Sequence, residues 1–216
     1  MNFWDLLFDR RCSICGKSID KGSVCDDCDK ELEKLINVRN RKLCVEGSTL
    51  NAYYLFEYDN VIVKKLLFAL KRRGNKELFE YAANLYYKAV PDDFIGCVTS
   101  VPRRGIGRRS YGYDQVEVPC KIMCKQQKER LEYKKLLCRT GFSKEQKNLN
   151  EKQRKANTKG KFKAVKKDIP KNILVADDCV TTGSTVISCV TELVKKNEDA
   201  NVSFIFLASQ NVFTRE

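Results

Sequence analysis

The chain has 216 residues, 41 Lys plus Arg against 28 Asp plus Glu, a formal net charge of +13 and no histidine. Without histidine there is no Ser-His-Asp triad, no Cys-His dyad, no imidazole metal ligand and no imidazole acid or base. A hydrophobic fraction of 43% with 32% charged residues is globular, and this length suits one domain with a small appendage or two small domains.

Residues 3–8 place Phe3, Trp4, Leu7 and Phe8 on one face of a short helix. Apolar residues precede basic ones here, the reverse of a secretory signal. No stretch approaches the ~20 apolar residues of a membrane span, so a cytoplasmic protein is expected. Two Cys-x-x-Cys pairs follow, Cys12 with Cys15 and Cys25 with Cys28. Four thiolates on one divalent ion with no open position describe a structural zinc site. Tetrahedral sulfur also suits iron, and a single pair on a helix would suit redox chemistry. The remaining cysteines (44, 97, 120, 124, 138, 179 and 189) sit mostly in apolar company and are expected to be buried thiols. A polar helix over 29–36 and a linker over 37–42 then close a zinc-binding four-cysteine module, residues 1–42, ahead of a larger domain, residues 43–216.

In that larger part, 50–58 is aromatic and extended. Asp59 is placed to cap a helix carrying Val61, Ile62, Leu66, Leu67, Ala69 and Leu70, with Gly74 at its end. A second helix covers 76–89. Residues 94–101 form a buried strand and 114–128 a helix containing Pro119. Short strands are expected at 135–139 and 162–165, with a long basic loop between them over 141–160. A strand at 172–176, a helix at 184–196 and a strand at 202–208 complete the chain. Strands alternating with helices give an α/β fold with a mostly parallel sheet.

The most informative run is Asp177-Asp178-Cys179-Val180-Thr181-Thr182-Gly183-Ser184-Thr185, which follows the apolar strand and opens the helix. Ligands of open α/β sheets bind at the carboxyl ends of strands. A helix N-terminus offers free amides and the positive end of its dipole, to which Thr and Ser add hydroxyl donors. Gly183 permits close backbone approach. Two carboxylates nearby can accept hydrogen bonds from vicinal hydroxyls. Phosphate and diol at this separation describe a ribose 5-phosphate. The ending lacks Gly-Lys-Ser/Thr, so this is not a P-loop.

The same run resembles the phosphoribosyl pyrophosphate (PRPP) signature of type I phosphoribosyltransferases. With the cysteine pairs, the chain resembles the ComF family of competence-associated proteins over nearly its whole length. Leu6-Leu7-Phe8 before Arg10-Arg11-Cys12, Ala69-Leu70-Lys71 before Gly74, Ser100-Val101-Pro102 and Gly112-Tyr113-Asp114-Gln115 carry the likeness. So do Gln146 through Arg154, Asn157, Gly160 and Phe162. Asp114 stands where that family usually has Asn.

The resemblance implies a type I phosphoribosyltransferase sheet with a small zinc-ribbon-like module held by Cys12, Cys15, Cys25 and Cys28. It gives Asp177 and Asp178 the ribose hydroxyls, and Thr181, Thr182, Gly183, Ser184 and Thr185 the 5-phosphate. Val101, Pro102 and Arg103 fall on the pyrophosphate side, with Arg104, Arg108 and Arg109 close by. Mg²⁺ would accompany PRPP, and the 141–160 loop would cover the ligand. The implied role is DNA uptake in natural competence with single-stranded DNA handling, alongside helicase or uptake proteins. An active PRPP-dependent glycosyltransferase with an unknown acceptor is the alternative. The net charge favours such polyanionic partners. Tyr53, Tyr54, Phe56, Tyr58, Tyr111 and Tyr113 are candidate stacking residues.

Overall fold

A computed structural model describes residues 10–45, 48–103, 111–140, 161–165, 168–181 and 183–210. The expected helix at 3–8, the 141–160 loop, Arg104, Arg108, Arg109 and Thr182 lie outside these residues.

The first knuckle is a turn closed by backbone bonds from Gly16 N to Cys12 O and Cys12 N to Lys17 O, both 2.8 Å. The second knuckle opens helix α1 (Asp26–Leu35), whose first turn carries Asp26, Asp27 and Asp29 at the favourable end of the dipole. The helix thus begins three residues before its expected start. Residues 37–42 are not a free linker. From Arg39 they form edge strand β1 (Arg39–Val45), which pairs antiparallel with β2 (Ser48–Glu57). Asn60, not Asp59, caps helix α2 (Val61–Arg73), accepting a hydrogen bond from Ile62 N at 3.0 Å. Asn75 caps helix α3 (Lys76–Lys88) in the same way, through Leu78 N at 2.8 Å.

Strand β3 (Gly96–Ser100) leads to helix α4 (Glu117–Gln126) and then to strand β4 (Leu131–Tyr133). Pro119 lies in the first turn of α4, where no intrahelical donor is needed, so the helix tolerates it. Strand β4 is absent from the sequence expectations because three residues carry no period. β5 (Leu137–Arg139) and β6 (Phe162–Ala164) pair as a separate antiparallel ribbon. Strand β7 (Asn172–Val180), helix α5 (Ser184–Val194) and strand β8 (Asn201–Ser209) follow.

The main sheet has six strands in the order β1-β2-β8-β7-β3-β4, parallel throughout except for the β1–β2 edge. Its central strands are buried on both faces, and β8 is buried from Val202 to Ser209. On one face Val98, Leu174, Ala176, Ile205 and Leu207 pack with α2, α3 and α4. On the other Ile173, Val175, Phe204 and Phe206 pack with α5 and the ribbon. Cys12, Ile14, Cys25, Cys28 and Leu32 belong to the first of these cores. Tyr81 of α3 donates to Asp29 of α1 at 2.8 Å, and Lys88 pairs with Glu33 at 2.6 Å. Among the described residues no helix is long and apolar enough to cross a membrane.

Candidate ligand site and metal centre

The sheet order fixes where a ligand can enter. From β3 the chain passes over one face to β4, stepping outward. From β7 it passes over the opposite face to β8, stepping the other way. Neighbours β3 and β7 therefore flank the point where strand order reverses, and helix backing is lost at their carboxyl ends. Both groups of candidate residues converge there. Ser100, Val101, Pro102 and Arg103 leave β3, and Val101 N donates to Ala176 O at 2.9 Å. Asp177 and Asp178 lie on β7.

The acid pair is part of the strand, not beyond it. Pairing of β7 with β8 continues through Asp177–Phe206 to Val180–Ser209. The carboxyl groups of Asp177 and Asp178 lie close enough to act on each other directly. Asp177 Oδ1 accepts from Asp178 N at 3.0 Å, while Asp178 Oδ2 accepts from Gln115 Nε2 at 2.9 Å. Tyr86, fully buried in α3, donates to Asp177 O at 3.1 Å and braces the strand from below. Burial, then the Asp178 charge, then Asp114 push the Asp177 carboxyl well above the ordinary carboxylate range. The site holds three carboxyl groups with no described cation paired to any of them, so it attracts hydroxyl donors or a cation.

Helix α5 opens at Gly183, whose φ of 68° is left-handed and whose position carries no side-chain cap. A helix start of this kind turns its first amides and the positive end of its dipole toward the carboxyl end of β7. Thr181, Ser184 and Thr185 border this turn.

Asp114 is buried, and its Oδ1 accepts from Val116 N at 3.0 Å and Glu117 N at 3.1 Å. It caps α4 from outside the helix, which holds Gln115 against Asp178. Gln115 is 7% exposed, and its Oε1 is buried with no partner. The Asp-x-x-Glu spacing of Asp114 and Glu117 was a usable helix-start signal. Nothing in the sequence marked the Gln115–Asp178 contact.

Arg103 stacks on Tyr111 at 5.5 Å, and Tyr111 also takes Arg72 of α2 at 5.2 Å and accepts a hydrogen bond from it. Arg72 and Arg73 in turn flank Phe68, which is 53% exposed. An alternating basic and aromatic line therefore runs from the β3 end along α2. Of the aromatic residues expected to stack, Tyr54 and Phe56 are core, and Tyr53, Tyr58 and Tyr113 pack against it. Phe68 was missed because α2 was read only for its inward face. Val61, assigned to that face, is exposed. Phe68 and Val61 line a recess of about 410 Å³ with Ser13, Ile14, Lys64, Lys65 and Arg73, away from the acid pair.

The four cysteines Cys12, Cys15, Cys25 and Cys28 converge so that all their sulfur atoms lie within 4.8 Å of one another. Cys15 Sγ and Cys25 Sγ are 3.6 Å apart. Zn–S bonds of about 2.3 Å give a tetrahedral edge of ~3.8 Å, so the cluster fits a divalent ion such as zinc. Burial opposes ionisation of Cys12, but the amides of Cys15, Cys25 and Ile14 aimed at it bring its pKa down to about 6. Burial and the neighbouring thiols push Cys28 up. Of the other cysteines, Cys97, Cys120, Cys124 and Cys189 are buried, whereas Cys138 and Cys179 are half-buried.

A scan against protein-family models finds no match to this chain, and a search of curated proteins finds no similar sequence.

Proposed function

We infer that this chain is a PRPP-binding, phosphoribosyltransferase-like protein of the ComF family that handles single-stranded DNA in DNA uptake. The observation that carries the reading is the acid pair near the carboxyl end of β7, followed by a helix opened by Gly183, at the β3–β7 point of strand-order reversal. In this reading the sheet is of the type I phosphoribosyltransferase type. Each carboxylate spends one oxygen on the protein, which supports assigning the other to a ribose hydroxyl. The first amides of α5 with Thr181, Ser184 and Thr185 take the 5-phosphate, and Val101, Pro102 and Arg103 border the pyrophosphate. The oxygen-only donor set suits Mg²⁺, which when bound would neutralise pyrophosphate charge. What the residues themselves do is bind, orient and hold charge; none is placed as a general acid or base.

The Arg103–Tyr111–Arg72–Phe68 line supports the nucleic-acid part, since single strands favour basic grooves with stacking aromatics. Calorimetric titration of Mg-PRPP into wild type and an Asp177→Asn, Asp178→Asn double variant tests the ligand. Binding should weaken more than about tenfold in the variant, from the loss of charged hydrogen bonds. Absence of wild-type binding overturns the PRPP reading. For DNA, oligo-dT affinity should fall with a log–log salt slope of about −0.7 per neutralised phosphate, and Phe68→Ala should weaken it. Absence of binding at low salt overturns that half.

A further inference from the structure

Gln115 has a donor in use and an acceptor to spare. Its Nε2 donates to Asp178 Oδ2 at 2.9 Å. An ionised carboxylate only accepts, so the amide nitrogen must face Asp178, which leaves the carbonyl oxygen on the other arm of the amide for another donor. That oxygen, Oε1, is buried and makes no hydrogen bond, on a residue only 7% exposed. A buried carbonyl left unpaired costs free energy that folding alone does not return. Its backbone is fixed by Asp114, which holds the start of α4 through Val116 N and Glu117 N, and its side chain is held by the bond to Asp178. A group held this way, bonded to one member of the acid pair, is arranged for a ligand that brings a donor of its own.

We propose that Gln115 is the third hydroxyl-reading group of the acid-pair site, with its Oε1 accepting a hydrogen bond from a ring hydroxyl of the bound pentose. The proposal rests on the pentose-phosphate reading of this site and adds a specificity residue to it. A site built to hydrogen-bond a hydroxyl rejects the analogue that lacks it, since its own polar group is then stranded.

The test is calorimetric titration of ribose 5-phosphate, 2-deoxyribose 5-phosphate and 3-deoxyribose 5-phosphate into wild type, Gln115→Met and Gln115→Asn. Thermal melts establish that each variant is folded. Wild type should prefer ribose 5-phosphate to both deoxy sugars. Gln115→Met should lose about tenfold in ribose 5-phosphate affinity and leave one deoxy sugar nearly unaffected, so that preference collapses for that hydroxyl alone. Gln115→Asn, one methylene shorter, should show the same loss with the amide retained. Equal weakening of all three sugars would mean that Gln115 only braces Asp178 and would overturn the proposal, as would no change in either variant. If wild type binds none of the sugars, the pentose reading fails first and takes the proposal with it.

Discussion

Asp114 separates two effects that one carboxylate usually combines. It supplies an acceptor to two amides, Val116 N and Glu117 N, and it places a third negative charge near Asp177. Asp114→Ala removes both. Loss of a capping acceptor costs about 0.5–2 kcal/mol, and the site's burial puts this one at the upper end. Relief of repulsion with Asp177 returns part of that, leaving a net loss of about 1–2 kcal/mol. For a chain of this size, roughly 2–4 °C per kcal/mol, the melting temperature should fall by about 2–8 °C. Asp114→Asn keeps the Oδ1 acceptor and removes only the charge. It should be within ~0.5 kcal/mol of wild type or more stable, and it should lower the pKa of Asp177. Differential scanning calorimetry of the three proteins reads the stabilities, and carbon-detected NMR titration reads Asp177. If Asp114→Asn loses as much as Asp114→Ala, the acceptor is not what matters and the capping argument is wrong.

Replacing Cys28 with Ser should abolish stoichiometric zinc in metal analysis of the purified protein and lower its melting temperature; full metal content in the variant would show that the four sulfurs do not share one ion. Asp177→Asn should stabilise the ligand-free protein at neutral pH. The folded state raises the Asp177 pKa, so its contribution is intact at low pH and is lost as pH rises through that raised value. The gap between variant and wild type should therefore widen with pH in urea melts, and a gap that narrows would contradict the assignment. A Cβ on Gly96 would sit 2.7 Å from the backbone oxygen of Asn172, where β3 lies against β7. Gly96→Ala should cost about 1–3 kcal/mol by chemical denaturation, and a neutral result would show that the strand ends can separate at no cost.

Much of this was legible because it rests on local rules. Apolar runs such as 202–208 announce buried strands, and Gly74 and Gly183 mark helix boundaries. The two cysteine pairs announced their own convergence, since short spacing leaves them few other arrangements. What could not be read depended on partners distant in sequence. β1 looked like a linker because Arg39, Asn40, Arg41 and Lys42 are polar, yet an edge strand needs only one paired side. The acid pair was expected after its strand because carboxylates are poor strand formers, but β8 supplies the ladder that carries β7 to Val180. Gln115 reaches Asp178 across 63 residues, and Arg72 reaches Tyr111 across 39, distances over which no local pattern speaks.

The cysteine knuckles share one continuous core with Leu55, Val63 and Leu66 instead of hanging from the sheet on a tether. An ion held by those sulfurs is therefore a folding ligand for the entire layered body. Its stabilisation grows with the logarithm of free metal over the dissociation constant. Cutting the chain after residue 40 would not release a spare part; it would strip apolar cover from α2 and α3. Loss of such an ion would thus reach the carboxylate crevice at the carboxyl end of β7 through the core that the two share.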